Sequence, residues 1–511
     1  MSRAGRDALR DQWRAQGWYP DLTVGEAIAQ GAAAHGDTEV VFAAADGGEV
    51  RVTLAELSAS AQELAGAYRR AGVEPGSTVV LQAPADPDAT VALIALWSLA
   101  TTVVPLVAGA APDELTHVLR EAGATTVIVA PEWRGTDLGT QARTSAASVG
   151  VERVLVIGEP LAPGTTGDVA RPAPTDIAVI VYTSGSTAMP KGVQHTHETL
   201  LFGLTIMPGN DLTRMLACFP AGHVAALLSL VRPLVVGGYT VVMDRWSARA
   251  AVELIERHRI TASAGTPFFL QTLLDEAERA GRDLGSLSSF LCGAAAVPPA
   301  LVDRALASGI VTWRTYGSTE HPAVSSGGPD DPPDKRSLTD GRVTFGNEVR
   351  LLDDDGRDVG PGEEGEIVCR GPKQFVGYRD PTLDADAFAD GTWFRTGDLG
   401  RFDDDGYLVV TDRVKDIIIR GGENISAREV EEVLLAHPGV HDVAVCPAPD
   451  PTFGEVPAAV VIGTTTLDEL VAFCEAAGLA SHKRPAKLVL VDELPRTPAG
   501  KVRKRDLRPL F

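Results

Sequence analysis

The sequence predicts an α/β protein: a large N-terminal domain of helix-flanked sheets, then a small α+β domain at the C-terminus. Three observations predict it. At 511 residues the chain is too long for one compact core, so at least two domains are expected. Amphipathic helical runs and apolar β-rich runs alternate through the first four hundred residues. The last hundred residues carry a helix–strand–strand–helix–strand pattern of their own.

The elements follow in order. A helix over 54–72 (LAELSASAQELAGAYRRAG) leads into a strand over 77–83 (STVVLQA). The uncharged stretch 89–112 is long enough to span a bilayer. Ser98, Thr101, Thr102, Pro105 and Gly109 dilute it, however, and it reads as a buried helix over 89–100 followed by a core strand over 102–107. Helices over 248–259 and 267–281 continue the alternation, which predicts parallel sheets covered by helices. From about residue 340 hairpins take over. DDDG stands at 353–356 and again at 403–406, each time between β-type segments, and Asp-Gly is a tight-turn signal. Neither copy has the alternating ligands and distant Glu of a calcium loop. The longest breaker-rich loop is expected at 325–341. The terminal unit reads as a helix over 426–437, strands VHDVAVCPA and VPAAVVIG, helix TLDELVAFCEAAG and strand AKLVLVDEL. Its boundary falls at Asp412–Asp416, giving domains 1–412 and 413–511.

Composition excludes several function classes. A hydrophobic fraction of 44% with 22% charged residues is ordinary for a globular protein. A net charge of −22 argues against nucleic acid or an anionic membrane as the main partner. The stretch from His482 to Phe511 is the exception, with nine Lys/Arg against three Asp/Glu, and suits contact with phosphates. Cys218, Cys292, Cys369, Cys446 and Cys474 lie far apart with no metal spacing and read as reduced packing residues of a cytoplasmic protein. The charged N-terminus does not read as an export signal.

Residues 181–192, VYTSGSTAMPKG, are the most informative in the chain. Hydroxyls of Tyr182, Thr183, Ser184, Ser186 and Thr187, the permissive backbone of Gly185 and the cation of Lys191 can wrap a polyphosphate. A Walker P-loop would need Gly before the lysine and Ser or Thr after it; Pro190 and Gly192 stand there instead. The segment resembles the phosphate-binding signature of adenylate-forming enzymes, the superfamily of acyl-CoA synthetases, aryl-CoA ligases, adenylation domains and luciferase. Four further blocks resemble that family in order: TYGSTE (315–320), WFRTGDLG (393–400), DRVKDIIIRGGENISAREVEEVL (412–434) and LPRTPAGKVRKRDL (494–507).

The resemblance implies a large domain that includes a distorted β-barrel, and a mobile C-terminal lid. It implies ATP binding through Thr183, Ser184, Gly185, Ser186, Thr187 and Lys191, with Tyr316 against adenine, Thr319 at the α-phosphate, and Asp398 and Arg413 at the ribose. Glu320, with Thr183, would ligate Mg²⁺, and Lys501 would enter the site for adenylation. Lys415 would be the hinge, and Gly421 and Gly422 would meet the pantetheine of coenzyme A. The implied chemistry has two steps: a carboxylate attacks the ATP α-phosphate, then the lid turns and a thiol takes the acyl group.

FPAGH (219–223) bears on the acid. Pro220 occupies the place of the aspartate that pairs an amino acid's ammonium, so a free amino acid is not expected. His223 matches the residue bordering the acid pocket, although a packing histidine is also compatible. LCGAAAVPPAL (291–301) aligns with a pocket wall. Gly293, Ala294, Ala295 and Gly317 would leave room for a hydrophobic alicyclic, aromatic or medium- to long-chain acid. Ala188 replaces a usual glycine, which leaves open an enzyme running mainly the thioester-forming half-reaction. A carrier protein's phosphopantetheine is an alternative acceptor. A non-catalytic nucleotide-binding relative is disfavoured by Lys191, Glu320, Asp398, Arg413 and Lys501 together. An oligomer is compatible with the sequence.

Overall fold

The computed structural model describes residues 4–44, 47–167, 169–183, 190–205 and 214–511. Among the described residues, two large sheets form the body of the big domain, one of nine strands and one of seven. In the first, Arg214–Ala217 lies between Tyr239–Met243 and Ala262–Gly265, and Ser289–Gly293 and Val311–Tyr316 extend it, all parallel. In the second, Thr78–Ala83 lies between Thr102–Val107 and Thr126–Val129, again parallel. Thr102–Val107 then pairs with Ile177–Thr183, which turns antiparallel into Lys191–Thr196.

The helices sit where the pattern places them. Leu54–Arg70 buries Leu54, Leu57, Ala61, Ala65 and Tyr68 along one face. Its start is set by a capping box, Thr53 with Glu56, a device that contributes about 1 kcal/mol. The uncharged stretch resolves as helix Pro87–Ser98 and strand Thr102–Val107, and Trp97 Nε1 donates to Ala178 O at 3.0 Å, tying that helix to the sheet. No helix among the described residues is long and apolar enough to cross a membrane.

The hairpin region forms a five-stranded antiparallel sheet, a curled half-barrel centred on the long strand Trp393–Phe402. Both DDDG segments are turns, closed by Gly356 N–H to Asp353 O at 2.9 Å and Gly406 N–H to Asp403 O at 3.0 Å. The segment 325–341, expected as a loop, instead holds strand Ser325–Ser326 and helix Pro333–Leu338. Proline is a breaker inside a helix but is accepted at its first turn, and Pro333 sits there. Asp331, accepting from Tyr407 OH at 2.8 Å, and Lys335, donating from Nζ to Asp403 at 2.7 Å, fasten the segment to the neighbouring hairpin.

The strand Leu408–Arg413 ends the large sheet system, and the small domain's own sheet begins with Ile418–Arg420. Helices Ala427–Leu435 and Leu467–Ala476 cover that sheet around Val430, Leu434, Val445 and Leu470. All five cysteines are free and buried, at Cys218, Cys292, Cys369, Cys446 and Cys474.

Candidate active site

Strand register places the first cation. Lys191 pairs directly with Thr183, so the two ends of the phosphate-loop segment are neighbours across an antiparallel ladder. Ser184, Gly185, Ser186, Thr187 and Ala188, singled out in the sequence, lie outside the described residues. The Lys191 ammonium stands 5.4 Å from the ring centre of Tyr378. Tyr378 OH in turn donates to Glu320 Oε1 at 2.8 Å. One tyrosine therefore bridges the lysine and the candidate metal carboxylate.

Tyr316 closes the strand Val311–Tyr316, and its hydroxyl donates to Asp398 Oδ2 at 2.7 Å. Arg413 faces Asp398 across the sheet, with Nε 2.9 Å from Oδ1. Burial, with the Asp398 charge nearby, pushes the Tyr316 phenol well above its ordinary pKa, so it stays a donor. The Asp398 charge holds the Arg413 pKa above its ordinary value. A carboxylate held by two donors keeps lone pairs for a diol.

The loop after Tyr316 is pinned from several sides. His195 Nε2 donates to Thr319 O at 2.8 Å, and Phe375 N–H donates to Glu320 O at 2.8 Å. Lys373 Nζ donates to Ala323 O at 2.7 Å. Burial lowers the pKa of His195 to about 4, so the ring is a neutral donor at working pH. His321 is buried behind the loop between Asn347 Oδ1 and the Cys369 thiol, and its pKa falls to about 3 for the same reason. Arg10, from the N-terminal helix Ala4–Ala15, donates to Phe375 O at 3.1 Å and so buttresses the same residue through its carbonyl.

Lys501 reaches this cluster from the small domain. Its loop is closed on itself: Thr497 N–H donates to Lys501 O and Gly500 N–H to Thr497 O, both at 2.8 Å. Burial and the Arg413 charge lower the ammonium's pKa to about 8, against the opposing pull of Asp398 and Glu320. The residue retains exposed surface, so water tempers that desolvation. The charge is also felt by His223, whose pKa burial and Lys501 lower to about 4. Glu320, Asp398, Arg413, His223 and Lys501 thus share one electrostatic neighbourhood across the two domains.

His223 caps the helix Val224–Val236, and its buried Nε2 has no hydrogen-bond partner among the described residues. At Gly293 and Gly317 the backbone is approached closely by neighbouring segments. A Cβ there would come within 2.6 Å of Thr315 O and 2.4 Å of Ala323 N, respectively. Ala294 and Ala295 follow with small, exposed side chains. An apolar cavity of about 60 Å³ lies beside the 219–222 segment, walled by Leu81, Leu93, Leu106, Phe219, Leu227 and Leu230.

Gly421 and Gly422 form the exposed turn between Ile418–Arg420 and Glu423–Ile425, with φ of 58° and 94°. Gly421 N–H donates to Phe453 O at 2.8 Å. Lys415 lies in the turn between the last large-domain strand and this hairpin.

Tyr378, His195, Lys373 and Arg10 were not singled out from sequence. Tyr378 sits in a short strand that pairs with Lys191–Thr196, and only that register brings it between Lys191 and Glu320. His195 carried a signal: it is the fourth residue after Lys191, on the same strand.

Lys191, Glu320 and Asp398 from the large domain and Lys501 from the small one thus form a linked group of charges, an arrangement suited to activating an acid on a nucleotide. The chain belongs to the AMP-binding enzyme family and is an ATP-dependent, AMP-forming ligase. Residues 28–379 match the model of the AMP-binding enzyme, and residues 429–501 that of its C-terminal domain. The chain is 32% identical to the medium-chain fatty-acid–CoA ligase of Escherichia coli (strain K12), over 98% of this chain and 92% of that one. It is 36% identical to the feruloyl-CoA synthase of an Amycolatopsis species, over 91% and 95%. The solved O-succinylbenzoate coenzyme A synthetase of Bacillus subtilis, in complex with ATP and magnesium ion, is 26% identical, with a TM-score of 0.80 over 94% of this chain and 98% of that one.

Proposed function

We propose that this protein activates a hydrophobic carboxylic acid as its acyl-adenylate and transfers the acyl group to coenzyme A. The single observation that carries the proposal is Lys501 held in the electrostatic neighbourhood of Glu320, Asp398 and His223, while the Gly421–Gly422 turn stands exposed. That is the arrangement for the first of two half-reactions. The likeness to the fatty-acid and feruloyl ligases supports the acid class, as do the small residues Ala294 and Ala295 and the apolar cavity beside Phe219.

In the first half-reaction the acid's carboxylate oxygen attacks the α-phosphorus, the bond to the bridging oxygen breaks, and pyrophosphate leaves. Lys191 and Lys501 offset the charge that builds on the phosphate oxygens, from opposite domains. Asp398, oriented by Tyr316 and Arg413, accepts from the ribose hydroxyls. Magnesium, when bound, would neutralise further phosphate charge. Glu320 and Thr183 would hold it, which fits an ion that takes one or two carboxylates and draws its other donors from phosphate and water. The small domain, which follows the large-domain strand Leu408–Arg413, then turns about Lys415, withdrawing Lys501 and presenting Gly421 and Gly422. A thiolate attacks the acyl carbonyl and AMP departs.

A panel of acids with ATP and coenzyme A, with pyrophosphate and thioester both measured, tests the proposal. Equal yields of the two products from an apolar acid are expected. Thioester formed only from a preformed acyl-adenylate, without ATP–pyrophosphate exchange, would reduce the enzyme to its second step. Thioester on a carrier's phosphopantetheine but not on coenzyme A would move the acceptor.

A further inference from the structure

We propose that Phe268, on the large domain, is the seat on which the Lys501 loop docks, and that Arg496 is the clasp holding the loop there. The proposal rests on the reading above that Lys501 serves the first half-reaction. Phe268 is the second residue of helix Pro267–Ala280, where Pro267 sets the backbone of the first turn. The next residue, Phe269, is fully buried and stacks on Trp246 with ring centres 4.5 Å apart, so the backbone beneath the seat is firm. The Phe268 ring is half-buried and meets two residues of the small domain.

The first is Gly500, immediately before Lys501. A Cβ on Gly500 would stand 2.7 Å from Phe268 Cδ1, closer than real Cβ atoms come, and a tight 3.1 Å from Phe268 Cβ. Its φ of 82° also disfavours a side chain. The loop can therefore lie flat against the ring because that position lacks a side chain. The second residue is Arg496, whose guanidinium carbon stands 4.8 Å from the ring centre, within cation–π range. The same guanidinium donates to Gly500 O and pairs with Asp442. Arg496 thus joins a small-domain strand, the loop backbone and a large-domain ring.

Where Gly500 rests decides whether the ammonium of the next residue reaches Glu320 and Asp398. One ring and one guanidinium make a contact that can also be released, as a domain that must turn away requires. Phe268 and Arg496 are positioning residues here, acting through Lys501.

The test uses the full chain with ATP. Spin labels at Ser308→Cys and Asp468→Cys, both exposed, report the distance between domains, and all native cysteines are buried. Phe268→Ala is expected to broaden or lose the docked distance. It should lower ATP–pyrophosphate exchange about tenfold while thioester formation from a preformed acyl-adenylate stays within about twofold. Phe268→Tyr, which keeps the ring face, should restore both signals. Gly500→Ala should be the more damaging single change, and adding Phe268→Ala should recover part of that loss because the clash is gone. Retention of the docked distance in Phe268→Ala would overturn the proposal. So would an equal fall in both half-reactions, or a double variant that is merely the product of the singles. Wild-type protein that docks with ATP but exchanges pyrophosphate with no acid would defeat the ligase reading and leave the seat standing.

Discussion

Two loops deliver charge to the same cleft and are built in opposite ways. The loop that follows Tyr316 is bonded to its surroundings through His195, Phe375, Lys373 and Asn347, with buried partners on several sides. The loop that ends at Lys501 is bonded mainly to itself, through Thr497, and meets the large domain on the Phe268 ring. Buried polar bonds are expensive to break, because each freed donor or acceptor is left without water. A carboxylate needed throughout the reaction can be fixed that way. A cation that leaves between half-reactions, as proposed for Lys501, cannot, and its loop is closed by its own hydrogen bonds through Thr497.

The largest effect that would break this contrast is Lys501→Ala. Adenylation, read as ATP–pyrophosphate exchange, should fall by about 10²–10³, the cost of losing one preorganised charge at a developing anion. Thioester formation from acyl-adenylate should persist. Equal loss of both would make the two loops alike.

A pH profile sharpens the comparison next. The Lys501 pKa is lowered to about 8, so its charged form dominates below that pH and is lost above it. The adenylation kcat/KM for ATP should therefore decline as pH rises through about 8, well before an ordinary lysine would titrate, whereas Lys501→Arg should lack that limb. The neutral His195 and His321, with pKa near 4 and 3, should add no limb between pH 6 and 8 on this scale.

Tyr378→Phe removes the hydrogen bond to Glu320 while keeping the ring beside Lys191. About fivefold loss in adenylation is expected, the worth of one hydrogen bond of about 1 kcal/mol, with a raised magnesium requirement as the signature. The smallest effect should come from Gly422→Ala. A side chain at φ 94° is strained by about 1 kcal/mol. Thioester formation should slow about fivefold or less with pyrophosphate exchange intact. A slowed exchange would put the glycine turn in the wrong half-reaction.

Much of this was legible in the chain. The helices at Leu54–Arg70 and Ala248–His258 follow the apolar periodicity to within two residues, and the helix read from the uncharged stretch falls within two residues of Pro87–Ser98. Periodicity is a local property that burial on one face imposes. Thr183, Lys191, Tyr316, Glu320, Asp398 and Arg413 could be named because short motifs carried them. What could not be read was contact between distant segments. Arg10 and Phe375 are 365 positions apart, and nothing in either neighbourhood announces the other. The helix at Pro333–Leu338 was missed for another reason: Pro and Asp signal breakage by composition but initiation by position.

By itself, then, the amino-acid order carried the fold class and, through short motifs that resemble a family, the ligase class, since these rest on residue type and local pattern. Tertiary structure decided which groups meet. It set Tyr378 between Lys191 and Glu320, paired Arg413 with Asp398 across a sheet, and laid Gly500 on Phe268. Those encounters depend on strand register and on how one domain closes over another, and both are settled only when the whole chain has packed.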